Sequence, residues 1–394
     1  MIKLKVIKKE NDKFKRGFPL IMKEAVINSE ALKQEGELFK LLDHNNNFIG
    51  TAYYGLQNKG IGWILSRDAK ETIDYSFFKN KIDQALNERN DFFLDTMTNA
   101  FRIFNGEGDG IGGLTIDYYN GYYLINWYSE GIYSFRNHVY QALQGAKNYQ
   151  GIYEKKRFDT KGKYIEQDDF VMGKEAEFPL IIKENGMNYA TNLNDGAMTG
   201  IFLDQRNVRQ LIRDKYAKNK TVLNTFSYTG AFSVAALHGG AKQTINVDLA
   251  KRSKLMTEEQ FTVNQQDVDA QEIRVMDVFN YFRYAKRHEL EFDMVILDPP
   301  SFARSKKYTF STAKDYPALI ADAIAITKTN GIIVASTNNA SFGMKKFKQF
   351  IETGFNDSNT RYKILEEMSL PKDFKTTKEY PQSNYLKVVF LQKL

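Results

Sequence analysis

The chain contains no cysteine. That absence removes disulfides, thiolate metal sites and every mechanism built on a cysteine nucleophile. Histidine is scarce, with only His44, His138, His238 and His288, each isolated, so no histidine-rich metal site is expected. No apolar run approaches the ~18–20 residues that a membrane span needs. The stretch Gly331-Ile-Ile-Val-Ala335 is typical in length. The start, Met1 to Lys9, lacks the continuous apolar core and small-residue cleavage site of a secretory signal. Repeats and low-complexity tracts are missing as well. Together these absences predict a cytoplasmic protein with no metal and no membrane partner.

What is present is ordinary for a globular protein. At 394 residues the chain is too long for one common core, and its length predicts two or three domains. Hydrophobic residues make up 42%, charged residues 26% and aromatics 14%, which excludes wholesale disorder. Lys+Arg 55 against Asp+Glu 48 leaves a net charge of +7. That excess suits a polyanionic partner without demanding one.

Residues 1–70 read as short strands joined by turns. Lys3–Lys8, Glu37–Leu42 and Phe48–Tyr54 alternate, while Asp43-His-Asn-Asn-Asn47 and Asn58-Lys-Gly60 carry turn chemistry. This small β domain has a basic N-terminal edge: Lys3, Lys5, Lys8, Lys9, Lys13, Lys15 and Arg16. Such an edge either protects an open strand or faces RNA. Residues 71–185 read as a small α/β unit, opening with a helix over Tyr75–Leu94. The glycines of Arg102-Ile-Phe-Asn-Gly-Glu-Gly-Asp-Gly-Ile-Gly-Gly-Leu114 lack the strand–helix frame of a phosphate cradle and predict the entry to a hairpin.

From residue 186 onward, strands alternate with helices. Strands are expected at Thr221–Asn224, Gln243–Val247, Ile273–Met276, Phe292–Leu297 and Gly331–Ser336. The helices between and after them are expected at Gly230–His238, Ser253–Asn264, Asp277–Lys286, Tyr316–Thr327 and Lys345–Thr353. Tyr362–Met368 and Tyr385–Gln392 close the chain as an antiparallel pair. This rhythm predicts an α/β fold with a parallel, doubly wound sheet and right-handed crossovers.

In such sheets ligands bind beyond the carboxyl ends of the strands. Here three successive strands end in an acid: Asp248, Asp277 and Asp298. One such Asp is commonly a helix N-cap, but three facing one crevice favour a ligand with several donors. The first strand runs into Asn224-Thr-Phe-Ser-Tyr-Thr-Gly-Ala-Phe232, whose loop holds only Gly230 among bulky residues. A dinucleotide phosphate would lack room and amide donors there. A ligand without phosphate but with a ribose and a purine fits better, namely S-adenosylmethionine. Asp248 would accept from the ribose hydroxyls, and Asp277 would meet the adenine amino group.

At this point a resemblance is specific. Residues 186–394 resemble class I S-adenosylmethionine-dependent methyltransferases with a Rossmann-like seven-stranded sheet. More narrowly they resemble large-subunit ribosomal RNA methyltransferases of the RlmI and RlmK type. Thr199-Gly-Ile-Phe-Leu-Asp-Gln-Arg206, Leu223-Asn-Thr-Phe-Ser-Tyr-Thr-Gly230, Val247-Asp248 and Leu297-Asp-Pro-Pro-Ser-Phe302 carry the likeness. Residues 1–70 are similar to a PUA domain, and Gly106 to Asp117 is similar to the family's middle domain. The resemblance implies that Phe226, Ser227, Tyr228, Thr229 and Gly230 lie against the methionine part of the cofactor. It implies further contacts from Asp204, Gln205 and Arg206. Arg206 has a plain structural reading too, as an ion-pair partner of Asp204 or Asp248.

Asp298-Pro299-Pro300-Ser-Phe302 is then the base-handling motif. Its prolines hold the chain extended with carbonyls outward, Asp298 accepts from a base amino group, and Phe302 offers a stacking face. Arg304, Lys306 and Lys307 follow and suit flanking phosphates. The implied partner is large-subunit ribosomal RNA, and a homodimer is left open.

The chain departs from the RlmI pattern in one chemical respect. Forming 5-methylcytosine usually requires a cysteine thiolate, and the corresponding string here reads Ala335-Ser-Thr-Asn-Asn339, with Thr337 near that position. The Asn338-Asn339 pair is closer to the RlmK string, whose enzymes methylate a guanine nitrogen. A nitrogen lone pair needs positioning only, by Asp298, Pro299, Pro300, Phe302 and Asn338. The expectation is therefore methylation of a base nitrogen, with guanine favoured. A 5-methylcytosine product by a route without cysteine stays open, as does an RNA-binding accessory protein with an idle pocket.

Overall fold

A computed structural model describes residues 1–57, 60–158, 169–304 and 309–394. Asn58 and Lys59 of the expected turn, Lys306 and Lys307 of the basic cluster, and the side chain of Arg304 lie outside the described residues. The chain packs as two units. One comprises Met1–Ile182, Asn192–Thr199 and Lys372–Ser383; the other comprises Lys183–Thr191, Gly200–Pro371 and Asn384–Leu394. Among the described residues no helix is long and apolar enough to cross a membrane.

In the first unit a six-stranded sheet runs, from edge to edge, Leu20–Ile21, Gly60–Ser66, Phe48–Gln57, Leu38–Leu42, Ile2–Val6 and Val26–Ile27. The basic N-terminal strand is not an edge, contrary to the sequence expectation. Ile2–Val6 pairs with Leu38–Leu42 on one side and with Val26–Ile27 on the other. The second pairing covers only Lys5 and Val6, so the strand is covered on that side at one end. Alternation explains its register: Leu4 and Val6 are buried while Lys3 is exposed.

The same unit holds a five-stranded sheet, ordered Phe170–Gly173, Gly151–Lys156, Tyr122–Trp127, Leu114–Tyr119 and Ala100–Asn105. Leu114–Tyr119 and Tyr122–Trp127 form a hairpin. Its two turn residues, Asn120 and Gly121, are both at positive φ, the twist that tight hairpins favour. The expected Tyr75–Leu94 helix breaks into Tyr75–Glu88 and Asn90–Leu94. Arg89 at the break is buried, binding the Asp109 carboxylate through both terminal nitrogens at 2.8 Å and the Asp373 carbonyl. The glycine-rich segment meets protein: a Cβ on Gly108 would lie 1.9 Å from the Lys375 carbonyl, and one on Gly112 would lie 2.1 Å from the Trp63 ring. Tyr53, Trp63 and Leu65 share one core with Phe78, Phe101 and Trp127. We propose the division 1–70, 71–185 and 186–394 as one of fold modules, the first two sharing that core.

The second unit is built on seven strands: β1 (Thr221–Thr225), β2 (Gln243–Asp248), β3 (Glu272–Val275), β4 (Phe292–Leu297), β5 (Thr327–Thr337), β6 (Tyr362–Met368) and β7 (Lys387–Lys393). Their order is β3-β2-β1-β4-β5-β7-β6. β1 to β5 are parallel, and β7 runs antiparallel between β5 and β6. The helices are α1 (Arg206–Leu211), α2 (Ala231–His238), α3 (Ser253–Thr262), α4 (Val278–Arg287), α5 (Thr312–Ala325) and α6 (Met344–Asp357). Both faces are covered, and β4 accordingly runs apolar over Met294–Leu297. Val295 and Leu297 face the core of α4, α5 and α6, and Met294 and Ile296 face that of α1 and α2. The expected helix over Tyr316–Thr327 starts and stops earlier. Asp315 Oδ2 accepts from the Ser311 amide at 2.7 Å at its start. Thr327 joins β5 and donates its hydroxyl to the Ala323 carbonyl at 2.7 Å.

Candidate active site

Strand order reverses between β1 and β4, so the crevice beyond their carboxyl ends is the expected ligand position. The loop leaving β1 is strained. Phe226 has φ 53° and Tyr228 has φ 51°, left-handed values that cost bulky residues roughly 1–3 kcal/mol each. The surroundings impose this shape. The Ser227 amide donates to the Val247 carbonyl at 3.1 Å, and the Tyr228 amide to Asp248 Oδ2 at 2.9 Å. The Phe226 ring packs with Phe279 and Phe310, and that of Tyr228 with Phe202. The Tyr228 hydroxyl accepts from the Gly200 amide at 3.0 Å, and Thr229 Oγ1 donates to the Gly200 carbonyl at 2.7 Å. Gly230, at φ 78°, begins α2; a Cβ there would lie 2.6 Å from a Thr257 methyl group. The loop is thus bent back over the end of β2, with Ser227 turned inward and buried.

The three strand-end acids are held differently. Asp248 accepts amides with both oxygens, Tyr228 on one and Ala250 on the other at 2.8 Å, and each oxygen keeps a second acceptor position. Asp277 is the N-cap of α4, accepting the Asn280 amide at 3.0 Å. Asp298 is half-buried and takes Gln205 Nε2 on Oδ1 at 3.2 Å. Burial pushes its carboxyl up to about 6, and the Asp204 charge adds to the push. Ser336, Arg209 and Gln205 oppose it. Gln205 also donates to Ser336 Oγ at 2.9 Å, which ties the ends of β4 and β5 together. Asp204 accepts from the Tyr385 hydroxyl at 2.8 Å, and Arg206 is buried at the start of α1.

Beyond β4, Pro299 is buried and Pro300 exposed, and Phe302 is 62% exposed at the start of a short hairpin, Phe302–Arg304 with Thr309–Ser311. Ser301 Oγ donates to Asn338 Oδ1 at 2.7 Å, joining this loop to the end of β5. Thr337 is fully buried, and its hydroxyl accepts the Asn339 amide at 3.2 Å. Two buried atoms at these strand ends, Gln205 Oε1 and Ser227 Oγ, have no hydrogen-bond partner among the described residues. Orphaned polar atoms of this kind suit a ligand carrying amino and hydroxyl groups, as S-adenosylmethionine does. The residues present fit that cofactor.

A β3-β2-β1-β4-β5-β7-β6 sheet with a non-phosphate pocket at its switch point defines a class I methyltransferase. The chain belongs to the S-adenosylmethionine-dependent methyltransferase family, whose model matches residues 108–380. A PUA-like domain model matches residues 4–67. Bacillus subtilis (strain 168) YwbD, named as a ribosomal RNA large subunit methyltransferase, is 58% identical over the whole of both chains. Ribosomal RNA large subunit methyltransferase I of Alteromonas mediterranea is 29% identical over 97% of this chain and 96% of its own. The crystal structure of SMU.776, a methyltransferase complexed with SAH, superposes with a TM-score of 0.92 at 41% identity, covering all of both chains. The chain is accordingly an enzyme that uses S-adenosylmethionine.

Sequence reasoning missed several residues that shape this crevice. Arg209 of α1 meets Glu184 through two bonds of 2.7 Å, and both are buried. Arg209 also donates to the Phe202 carbonyl at 2.8 Å, fixing the segment that covers Tyr228. Arg209→Met should cost about 3–5 kcal/mol in urea unfolding, because Glu184 would be left buried and unpaired. The double variant Arg209→Met with Glu184→Leu should recover most of that loss; equal losses would refute the pairing. Lys387, opposite Thr337 at the start of β7, is buried and donates to the Asn339, Phe342 and Tyr385 carbonyls. Burial pulls its ammonium down to about 8. Its signal in the sequence was a lysine opening the apolar run Val388-Val-Phe-Leu391.

Proposed function

We propose that the chain methylates a base nitrogen in large-subunit ribosomal RNA in the cytoplasm, with guanine favoured. The observation that carries the choice of nitrogen is the state of Thr337. In a chain without cysteine, the group nearest the expected nucleophile position is a fully buried hydroxyl bonded to its own loop. A hydroxyl so placed, with a far higher pKa than a thiol, is not a nucleophile for carbon 6 of cytosine. The named relatives support ribosomal RNA as the substrate. A second copy of the chain stays open as a partner.

The cofactor supplies a methyl group on a cationic sulfur, so a nitrogen lone pair aligned behind that carbon suffices. The protein's part is to position the base and exclude water. In this reading Asp298 accepts the base amino group and the carbonyls of Pro299 and Pro300 hold the base edge. Phe302 stacks on the extruded ring, and Asn338, steadied by Ser301, donates to a base oxygen. Phe226 to Gly230 and Asp204 to Arg206 line the methionine end, Asp248 the ribose and Asp277 the adenine.

Methylated nucleosides from ribosomal RNA incubated with labelled cofactor should contain an N-methylguanine. Phe302→Ala should lower turnover about 5- to 100-fold through lost stacking, with cofactor affinity intact. Thr337→Ala should cost no more than a few-fold. Recovery of 5-methylcytosine, or loss of all activity in Thr337→Ala, would overturn the nitrogen reading.

A further inference from the structure

A second concave site lies in the first unit. It is a cavity of about 220 Å³ lined by Glu10, Lys13, Phe18, Met22, Glu24 and Tyr380, among others. That volume is below the ~300–1,000 Å³ of drug-sized ligand sites, and suits one planar ring system. Its walls are set by neighbours that hold them. Phe14 meets Phe18 edge-on at 6.0 Å, and Arg67 binds the carbonyls of both residues at 2.9 and 3.2 Å. Tyr380 is fixed at 5.4 Å by Trp63 and at 5.5 Å by Phe18.

The polar rim carries a directional pattern. Glu10 and Lys13 stand one helical turn apart, with Lys13 Nζ 3.7 Å from Glu10 Oε2 and 3.7 Å from the Phe18 ring centroid. Side by side they present one donor and two acceptors. Guanine is the base whose pairing edge is the complement, with one acceptor, O6, followed by two donors, N1–H and N2–H. Adenine and cytosine would turn a ring acceptor toward the carboxylate, and uracil would bring one donor between two carbonyls. Single-stranded RNA is the form in which a pairing edge is free to be read this way against aromatic walls.

We propose that this cavity holds one unpaired guanine of single-stranded RNA, with Glu10 accepting from N1–H and N2–H, Lys13 donating to O6, and Tyr380 giving ring surface. Lys23, exposed between two lining residues, suits the adjoining phosphate. The inference rests on the RNA reading above, since it supplies the substrate class. It adds a sequence-selecting subsite to the one proposed for the methylated base.

The test is fluorescence anisotropy of short labelled oligouridines carrying a single central guanosine, adenosine or cytidine. Methylation of ribosomal RNA is followed in the same preparations. The wild-type chain should prefer the guanosine oligomer about ten-fold. Glu10→Gln, which replaces one acceptor by a donor, should abolish the preference with thermal stability unchanged. Lys13→Met should weaken the preference, whereas Lys23→Met should keep the preference and lower the salt slope by about one. No preference in the wild type, or a preference that survives in both Glu10→Gln and Lys13→Met, overturns the subsite; if methylation of RNA persists, the proposed function stands. Loss of RNA methylation in the wild type would instead overturn the function itself.

Discussion

Asp298→Asn should lower methyl-transfer turnover about 10²–10³-fold, the scale seen when one preorganised polar group is removed from a reaction site. The same change should make the protein more stable at neutral pH. Both effects follow from one carboxyl group. Burial and the neighbouring Asp204 charge raise it to about 6, so holding it ionised in the fold is unfavourable. The sign is set by proton uptake. Between about 4, its unfolded value, and 6 the native state binds the extra proton, so stability falls as pH rises through that window. Asparagine relieves the penalty above it, by up to about 3 kcal/mol. Activity should run the other way. If the ionised carboxylate receives the base amino group, the wild-type rate falls as pH drops through about 6. That acid limb should disappear in the residual activity of Asp298→Asn. Turnover within ten-fold of wild type, or an unchanged limb, would remove Asp298 from the site.

Asp248→Ala should weaken S-adenosylmethionine about 10²- to 10⁴-fold in calorimetry. One part of that loss is direct, since two hydrogen bonds to a carboxylate are each worth about 1.5–3 kcal/mol. The other part is structural. Asp248 holds the Tyr228 amide, and Tyr228 is one of two bulky residues forced into left-handed backbone. Without that anchor the loop relaxes, and the pocket wall built by Phe226 to Gly230 goes with it. Asp248→Asn separates the parts, because it keeps an acceptor for the amide while removing the charge. A folded Asp248→Ala protein with unchanged affinity would rule out the assignment at the end of β2.

Much of the second unit was legible from pattern. β4 and β6 fall on the residues expected of them, and β1 and β2 differ by one residue at the end. The apolar run Met294–Leu297 marks a strand covered on both faces, and alternation marks the antiparallel edge strand β6. Local competition blurred the limits of α5 and β5, where Thr327 has hydrogen bonds available in either element. The basic N-terminal strand misled for another reason. Period-two alternation shows which face a strand buries but not which strands lie beside it, and Ile2–Val6 has neighbours on both sides. The glycines at 106–113 lead into a hairpin as expected, but only distant residues, Trp63 and Lys375, explain the close approach at Gly112 and Gly108.

The sequence by itself determined the alternating strand–helix frame, the acids at the strand ends and, through the missing cysteine, the exclusion of thiolate chemistry. These are properties of composition and short-range order, and they survive any arrangement of the rest. Only the tertiary structure decided what each acid does. Asp277 is an N-cap and Asp248 anchors a strained loop, while Asp298 sits where burial and Asp204 raise its carboxyl. Desolvation and the field of a charge depend on what lies within a few ångströms in space, and those neighbours, Gln205, Arg209 and Ser336, come from parts of the chain that no local pattern connects.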